Sequence, residues 1–275
     1  MFSAAKVRVS RGTCGVGKTN GRIAFHVKHE SGSAAPDDGA DPSPPPSAHA
    51  VFEERLELAM RYREMLATDG ITRGLIGPRE VPRLWDRHIV NCGVLGEVIA
   101  DGEYVIDIGS GAGLPGIPLT LARPDLRITL VEPLLRRTTF LEEVVASLGL
   151  DVTVVRGRAE ERAVRAEVGL ADVVTSRAVA PLDRLASWSA PLIRPGGRLV
   201  AIKGSTASDE IERDRMAASR RGLIDLEVRQ CGVGVIEPPT TVVVGVRNDR
   251  VSGSQSSKKK RVDRRSRSDS RGSGR

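Results

Sequence analysis

Short apolar strands alternate with segments of helical pattern from residue 104 onward, and this alternation constrains the fold more than any other feature. The predicted strands are 104–109, 127–133, 151–157, 171–178, 197–204, 223–233 and 240–248, and the predicted helices are 114–123, 134–150, 159–168, 181–193 and 208–222. Strands that alternate with helices in this way pair in parallel, with helices on both faces of the sheet. The sequence therefore predicts an α/β fold with a doubly wound sheet and a turn at RPGG (194–197).

A helical region precedes this sheet. Residues 51–67 carry apolar side chains at helical spacing, and residues 78–100 read as one or two helices beginning near Pro78. We therefore expect a domain at 50–249, with a helical extension over 50–100 and a Rossmann-like core over 101–249. Ligands of such sheets bind outside the carboxyl ends of the strands, so functional residues should directly follow strands.

The two ends of the chain differ from this domain in composition. Residues 31–49 are rich in Pro, Ser, Gly and Asp, and we expect 1–49 and 250–275 to be a disordered leader and tail. The formal net charge of +7 is distributed unevenly along the chain. Residues 258–275 carry +7, residues 1–29 carry +6, and residues 30–257 carry −6. Basic ends are typical of proteins that contact nucleic acid, although a solvated tail without a specific partner is an equal alternative.

Cysteine spacing and hydropathy exclude several classes of protein. Cys14, Cys92 and Cys231 lie far apart and form no zinc-ligand pattern with the four histidines, which indicates reduced thiols and no metal site. The sequence has neither an apolar run of about 20 residues nor the apolar core of a secretory signal. We therefore expect a cytoplasmic protein with no membrane partner; the basic, acid-free start leaves an organellar transit peptide as the alternative.

Two glycine-rich runs compete as nucleotide-binding loops. GTCGVGKT (12–19) satisfies the phosphate-loop pattern at every required position. A working phosphate loop follows an apolar strand and opens a helix, whereas this run lies between a basic segment and a stretch with a helix-breaking glycine. We interpret the match as a coincidence, which makes ATP or GTP binding a weak hypothesis.

The second run, DIGSGAGLPG (107–116), follows a predicted strand and precedes a helix. Its glycines Gly109, Gly111 and Gly113 are expected to bring the backbone close to a cofactor. Glu132 ends the next strand, where an acid accepts hydrogen bonds from ribose hydroxyls. Both NAD and S-adenosylmethionine carry such a ribose, so these residues alone leave both cofactors open.

Asp107 favours S-adenosylmethionine over NAD. A carboxylate beside the glycine loop would repel the pyrophosphate of NAD and attract the amino group of S-adenosylmethionine. We therefore predict that Asp107 contacts the cofactor. The alternative is that its carboxylate caps a helix or a turn.

Six motifs resemble the bacterial 16S ribosomal RNA guanine-N7 methyltransferases, also known as the RsmG or glucose-inhibited division protein B family. They are VPRLWDRHIVNC (81–92), DIGSGAGLPGIPLTLARPDL (107–126), EPLLRRTTFLEEV (132–144), RGRAEE (156–161), VTSRAVAPLD (174–183) and RPGGRLVAIKG (194–204). The resemblance covers about residues 51–247, and GSGAGLPGIP and SRAVA are its most specific parts. FHVKHE (25–30) resembles the opening of some members, which would leave residues 1–24 upstream of the common start.

The resemblance implies a class I S-adenosylmethionine-dependent methyltransferase fold and methylation of N7 of a guanine in the 530 loop of small-subunit rRNA. It also implies cofactor contacts at Gly109, Leu114, Ala159, Glu160 and Arg177. The partner would be 16S rRNA or the small ribosomal subunit, and we expect a monomer. A methyltransferase of this fold that acts on another RNA or on a small molecule remains the alternative.

The proposed chemistry needs no general base, because guanine N7 offers a lone pair in the neutral base. Positioning is then the main requirement. Arg177 and Lys203 follow the fourth and fifth parallel strands, and we predict that they act catalytically by holding guanine O6 or a flanking phosphate. The alternatives are that Arg177 only positions the cofactor and that Lys203 pairs with a structural carboxylate.

The remaining candidates are surface arginines and helical aromatic residues. We predict a patch that faces RNA and is formed by Lys203 and three arginines, Arg136, Arg137 and Arg158. Arginine pairs on helices are more often simply solvated, which is the alternative. We interpret three residues as structural: Trp85, Trp188 and His88.

Overall fold

The computed structural model describes residues 43–248 and contains one sheet of seven strands. Five strands run parallel: β1 (Tyr104–Ile108), β2 (Arg127–Glu132), β3 (Val152–Arg156), β4 (Ala171–Arg177) and β5 (Ile193–Ile202). Two antiparallel strands, β6 (Leu223–Cys231) and β7 (Thr240–Arg247), complete the order β3-β2-β1-β4-β5-β7-β6. The chain reverses direction across the sheet between β1 and β4, and this switch point is where open α/β sheets bind ligands.

Helices cover both faces of the sheet. Those of the parallel half are α4 (Gly116–Ala122), α5 (Leu135–Leu148), α6 (Arg162–Val168), α7 (Leu182–Ser189) and α8 (Ala207–Arg220). Side chains of successive strand residues point to opposite faces, so Val105 joins the core beneath α4 and α5 while Ile106 joins the core beneath α7 and α8. All five residues of β1 are buried, which fixes the loop that follows it.

The helical extension packs against the first of these cores. It consists of α1 (Pro46–Phe52), α2 (Leu56–Met65) and a run of helical turns from Pro78 to Val98 that contains the short helix α3 (Asn91–Gly93). Phe52, Tyr62 and Trp85 are all buried there. The extension therefore covers one face of the sheet and places the turn around residue 88 beside the switch point.

Three predicted boundaries were wrong. The helical region begins at Pro46 rather than after 49, because Ala48 and Phe52, one turn apart, both bury their side chains. The predicted turn at 194–197 lies inside β5, where Gly196 takes a positive φ and the pairing with β4 shifts register. The helix predicted over 181–193 ends at Ser189 and continues as a single 3-10 turn.

Several predictions concern residues 1–42 and 249–275, which lie outside the described part of the chain. These are the phosphate-loop match at 12–19, the FHVKHE segment, most of the leader, and the basic tail. Within residues 43–248, no helix is both long and apolar enough to span a membrane.

Candidate active site

A cavity of about 530 Å³ opens at the switch point, where β1, β2 and β4 end. Its size falls within the roughly 300–1,000 Å³ typical of small-molecule sites. We call it the cofactor cavity. Seven residues predicted from the sequence line it: Gly109, Gly111, Leu114, Glu132, Arg137, Arg158 and Arg177. The strand ends predicted from the sequence therefore meet at this cavity, and the assignment of these residues to a cofactor stays a prediction.

A smaller cavity of about 130 Å³ adjoins the cofactor cavity on the β3 side. It shares Gly109 and Val179 with the larger cavity, and its wall adds Ala159, Glu160 and Trp188. The residues predicted from the RGRAEE motif thus lie next to those of the glycine loop. Trp188 is half-buried and lines this cavity, so the interpretation of this side chain as purely structural is incomplete.

The glycine loop presents bare backbone to the cofactor cavity. Gly109 and Gly111 have φ values of +70° and +59°, a region that side chains other than glycine disfavour. A Cβ atom on Gly109 would lie 2.9 Å from Val179, whereas a Cβ on Gly111 would meet nothing closer than 3.9 Å. The loop therefore leaves open space at Gly111, which a ligand can approach closely.

Glu132 supplies the carboxylate of the cofactor cavity. Its side chain is buried, Oε2 accepts a hydrogen bond from the Gly111 N–H at 3.0 Å, and Oε1 accepts one from the Leu134 N–H at 3.0 Å. Arg137 approaches Oε2 at 3.6 Å. A carboxylate has about four acceptor positions, so each oxygen keeps capacity for a ligand hydroxyl. This donor and acceptor set is compatible with the ribose contact predicted for Glu132.

Asp107 does not line either cavity, and the prediction that it contacts the cofactor is replaced by the capping alternative. Its Oδ2 accepts a hydrogen bond from the Gly116 N–H at 3.0 Å, at the start of α4. Its Oδ1 has no partner among residues 43–248, and burial raises the pKa of Asp107 to about 7. A Cβ on Gly116 would overlap Leu130 and press against Asp107, so this contact depends on glycine.

Gly113 is likewise a packing residue rather than a cavity residue. A Cβ atom there would come within 2.6 Å of Ile117 and 3.0 Å of the Tyr62 hydroxyl. That hydroxyl donates a hydrogen bond to the Ala112 carbonyl at 2.8 Å. The third glycine of the fingerprint therefore lets the helical extension dock on the loop, which the motif alone did not indicate.

Arg177 lies at the far end of the cofactor cavity and is held by residues of the helical extension. One terminal nitrogen of its guanidinium donates to His88 Nδ1 at 2.8 Å, and the other donates to Cys92 Sγ at 3.4 Å. His88 Nε2 lies 2.7 Å from Glu80 Oε2. Burial, followed by the charge of Arg177, lowers the pKa of His88 from 6.5. Neutral His88 thus accepts from Arg177 while its Nε2–H donates to Glu80.

Lys203 is engaged in structural contacts, which was the alternative to a catalytic or RNA-binding role. Its ammonium donates to the Ala180 carbonyl and to Glu210 Oε1, both at 2.9 Å. The same Glu210 oxygen accepts the Leu182 N–H at 2.7 Å. Both side chains are nearly buried. Lys203 therefore fixes the loop that follows Arg177, directly at Ala180 and through Glu210 at Leu182. We reassign Lys203 as a positioning residue.

Of the three arginines predicted to face RNA, Arg137 and Arg158 line the cofactor cavity and Arg136 does not. Arg137 is half-buried beside Glu132, whereas Arg136 and Arg158 are exposed. Trp85 is buried, in agreement with the structural interpretation. The sequence did not single out Glu80, Cys92 or Tyr62, whose roles arise only from contacts across the fold. The one available signal was that Cys92 and His88 both belong to the VPRLWDRHIVNC motif.

Two comparisons with known protein sequences point to the same family. The family model of the rRNA small subunit methyltransferase G matches residues 55–237. A Rhodococcus jostii protein named Ribosomal RNA small subunit methyltransferase G is 60% identical over 219 residues, which are 80% of this chain and 94% of that protein. A Corynebacterium glutamicum protein of the same name is 60% identical over 200 residues, 72% of this chain and 90% of that protein.

Solved structures resemble the chain more distantly. An S-adenosylmethionine-dependent O-methyltransferase from Thermotoga maritima superposes with a TM-score of 0.47 at 15% identity, covering 62% of this chain and 71% of that chain.

Proposed function

Because this chain belongs to the rRNA small subunit methyltransferase G family, we propose that it transfers a methyl group from S-adenosylmethionine to N7 of a guanine in the 530 loop of 16S rRNA. The family match over residues 55–237 carries the choice of substrate. The cofactor cavity supports the choice of methyl donor, because its bare glycine backbone and buried carboxylate suit a nucleoside. We further propose that the enzyme acts in the cytoplasm as a monomer.

Different residues would hold different parts of the cofactor. We assign the ribose to Glu132, the close backbone contacts to Gly109, Gly111 and Leu114, and the wall of the smaller cavity to Ala159 and Glu160. Arg177 closes the far end. When bound, S-adenosylmethionine supplies an electrophilic methyl group on a sulfonium.

The protein's own contribution to the reaction is placement. Guanine N7 attacks with its lone pair, so no side chain has to remove a proton first. The cluster at Arg177 is consistent with this, since neutral His88 spends its Nδ1 on holding the guanidinium and its Nε2–H on Glu80. Arg177 uses two of its roughly five N–H groups in these contacts, which leaves donors for guanine O6.

Mass spectrometry of small-subunit rRNA from cells with and without the gene tests this function. We expect one 7-methylguanine to disappear with the gene and to return when the purified protein and S-adenosylmethionine are added to the unmodified RNA or subunits. An unchanged 7-methylguanine content would reject the assignment. Methyl transfer to a different RNA or to a small molecule would then be sought with labelled S-adenosylmethionine.

A further inference from the structure

A second cavity lies behind the segment that closes the cofactor cavity. Its volume is about 370 Å³, and residues 177–179 line both cavities. One segment of chain therefore separates the two spaces. Methyl transfer requires the donor carbon and the acceptor atom to be in near contact. A space that meets the cofactor cavity across residues 177–179 is suited to hold the acceptor.

This inner cavity continues outward into a wider one of about 840 Å³. The two share Arg87, Asn91 and Lys203. The helical extension forms one wall of the wider cavity, and the end of β5 with the segment 235–241 forms the other. The pair makes a continuous cleft from the surface to Arg177, which we call the acceptor cleft.

We propose that the acceptor cleft binds the target nucleotide, with the guanine in the inner cavity and its neighbouring phosphates in the outer one. Asn91 reads the edge of the base, and Arg83 and Arg87 hold the phosphates. This proposal rests on the proposed function, since it requires a single-stranded RNA acceptor. It moves the RNA contact away from the patch of Arg136, Arg137 and Arg158 that the sequence indicated.

Asn91 offers its side-chain amide to a ligand in the acceptor cleft. Its backbone carbonyl accepts a hydrogen bond from the Thr240 hydroxyl at 2.9 Å, which fixes the residue between the extension and the sheet. Its side-chain amide has no partner among the described residues, although it is half-buried and lines both parts of the cleft. The amide is therefore available to a ligand in the cleft. An amide can donate to guanine O6 and accept from guanine N1–H at once.

Arg83 and Arg87 provide the positive charge of the outer cavity. Both are exposed, and Arg83 pairs with no carboxylate within residues 43–248. Arg87 meets Glu80 at 3.4 Å, but Glu80 is already bound by His88 at 2.7 Å. Asp86 and Glu237 also line this cavity, so phosphates are restricted to the side that carries the two arginines. Arginine is the preferred side chain for phosphate recognition.

The test compares Arg83→Ala/Arg87→Ala and Asn91→Ala with Arg220→Ala/Arg221→Ala, a control that removes the same charge. Arg220 and Arg221 are exposed and lie at the opposite end of α8 from the cleft. Each protein is assayed for methyl transfer to unmodified small subunits across a salt series, for S-adenosylmethionine affinity, and for thermal unfolding. We expect the cleft double variant to raise KM for the subunit about tenfold and to lower the salt slope by about 1–2.

We expect Asn91→Ala to lower kcat/KM by about tenfold, the value of one hydrogen bond to a base. Cofactor affinity and the unfolding temperature should stay at the wild-type values in both cases. Cleft variants that match the control in KM and salt slope would overturn the proposal. If the wild-type enzyme does not methylate small-subunit rRNA at all, the proposed function fails instead, and the two failures are thus distinguishable.

Discussion

The cofactor cavity and the acceptor cleft meet at Arg177, but they are built in different ways. At the cofactor cavity, Glu132 is held by the backbone N–H groups of Gly111 and Leu134, which lie 21 and 2 residues away in sequence. The acceptor cleft depends on residues brought together from distant segments, as in the hydrogen bond from the Thr240 hydroxyl to the carbonyl of Asn91, 149 residues earlier. A local backbone site can be recognised as a motif, whereas a side-chain site requires the fold.

The largest expected effect is a loss of cofactor affinity when Glu132 is replaced. Glu132→Ala removes the carboxylate that organises Gly111 and Leu134, and with it the proposed ribose contact. A hydrogen bond to a charged group contributes about 1.5–3 kcal/mol. Losing two such bonds between the carboxylate and the ribose should therefore lower the affinity for S-adenosylmethionine at least about a hundredfold. Titration calorimetry measures it, with exposed Glu142→Ala as the control. An affinity within threefold of wild type would contradict the assignment.

Titration of the buried Asp107 should make the free energy of unfolding depend on pH. Burial raises its folded pKa from 3.8 to about 7, so between these values the folded state binds the extra proton and its stability falls as the pH rises. Asp107→Asn removes that titration. At about 1.4 kcal/mol per pKa unit, the difference in unfolding free energy between variant and wild type should change by about 2 kcal/mol from pH 5 to pH 7. Urea unfolding at several pH values checks this; a constant difference would refute it.

On the acceptor side, Lys203→Met should act through folding and loop order rather than through chemistry. It leaves Glu210 nearly buried without its cation and frees the Ala180 carbonyl. We expect about 2 kcal/mol of lost stability, somewhat less than for a fully buried pair. The double change Lys203→Met/Glu210→Gln should recover part of it. If Lys203→Met unfolds like wild type yet abolishes turnover, the direct catalytic role we set aside would be restored.

The smallest expected effect concerns His88, which positions Arg177. His88→Ala should lower kcat by about tenfold, because it removes one hydrogen bond to a charged group. A double-mutant cycle with Arg177→Ala should show that the two losses are not additive.

The pH profile supplies the second readout for this pair. The pKa of His88 is lowered from 6.5, so the contact with Arg177 is intact above pH 6.5 and is lost as the pH falls through the lowered pKa. Wild-type kcat should therefore drop on the acidic side, and His88→Ala should lose that limb of the profile. Equal acidic limbs in both proteins would argue against the contact.

The success of the sequence-based predictions follows the same division between local and distant contacts. The strand positions of the parallel sheet, the glycine loop and Glu132 could be predicted because each is encoded by spacing within one βαβ unit. Asp107 could not, since the same position suits either a cofactor contact or a cap, and only the hydrogen bond to Gly116 decides between them.

The acceptor side was predicted less well because its partners are far apart in sequence. Lys203 was correctly expected after β5, but Glu210, which neutralises it, was not identified. His88 was interpreted as structural, which its burial supports, yet its contact with Arg177 depends on how the extension docks. The turn predicted at RPGG failed because a glycine-rich sequence is compatible with a bulge inside a strand as well as with a turn.

The close packing at Gly116 has a genetic consequence. Any larger residue there would overlap Leu130 and press on Asp107, although position 116 lines neither of the two cavities that meet at Gly109. Inactivating alleles should therefore arise at a site that touches no substrate. Such alleles would lower the amount of folded enzyme in the cell and leave the turnover of each surviving molecule nearly normal.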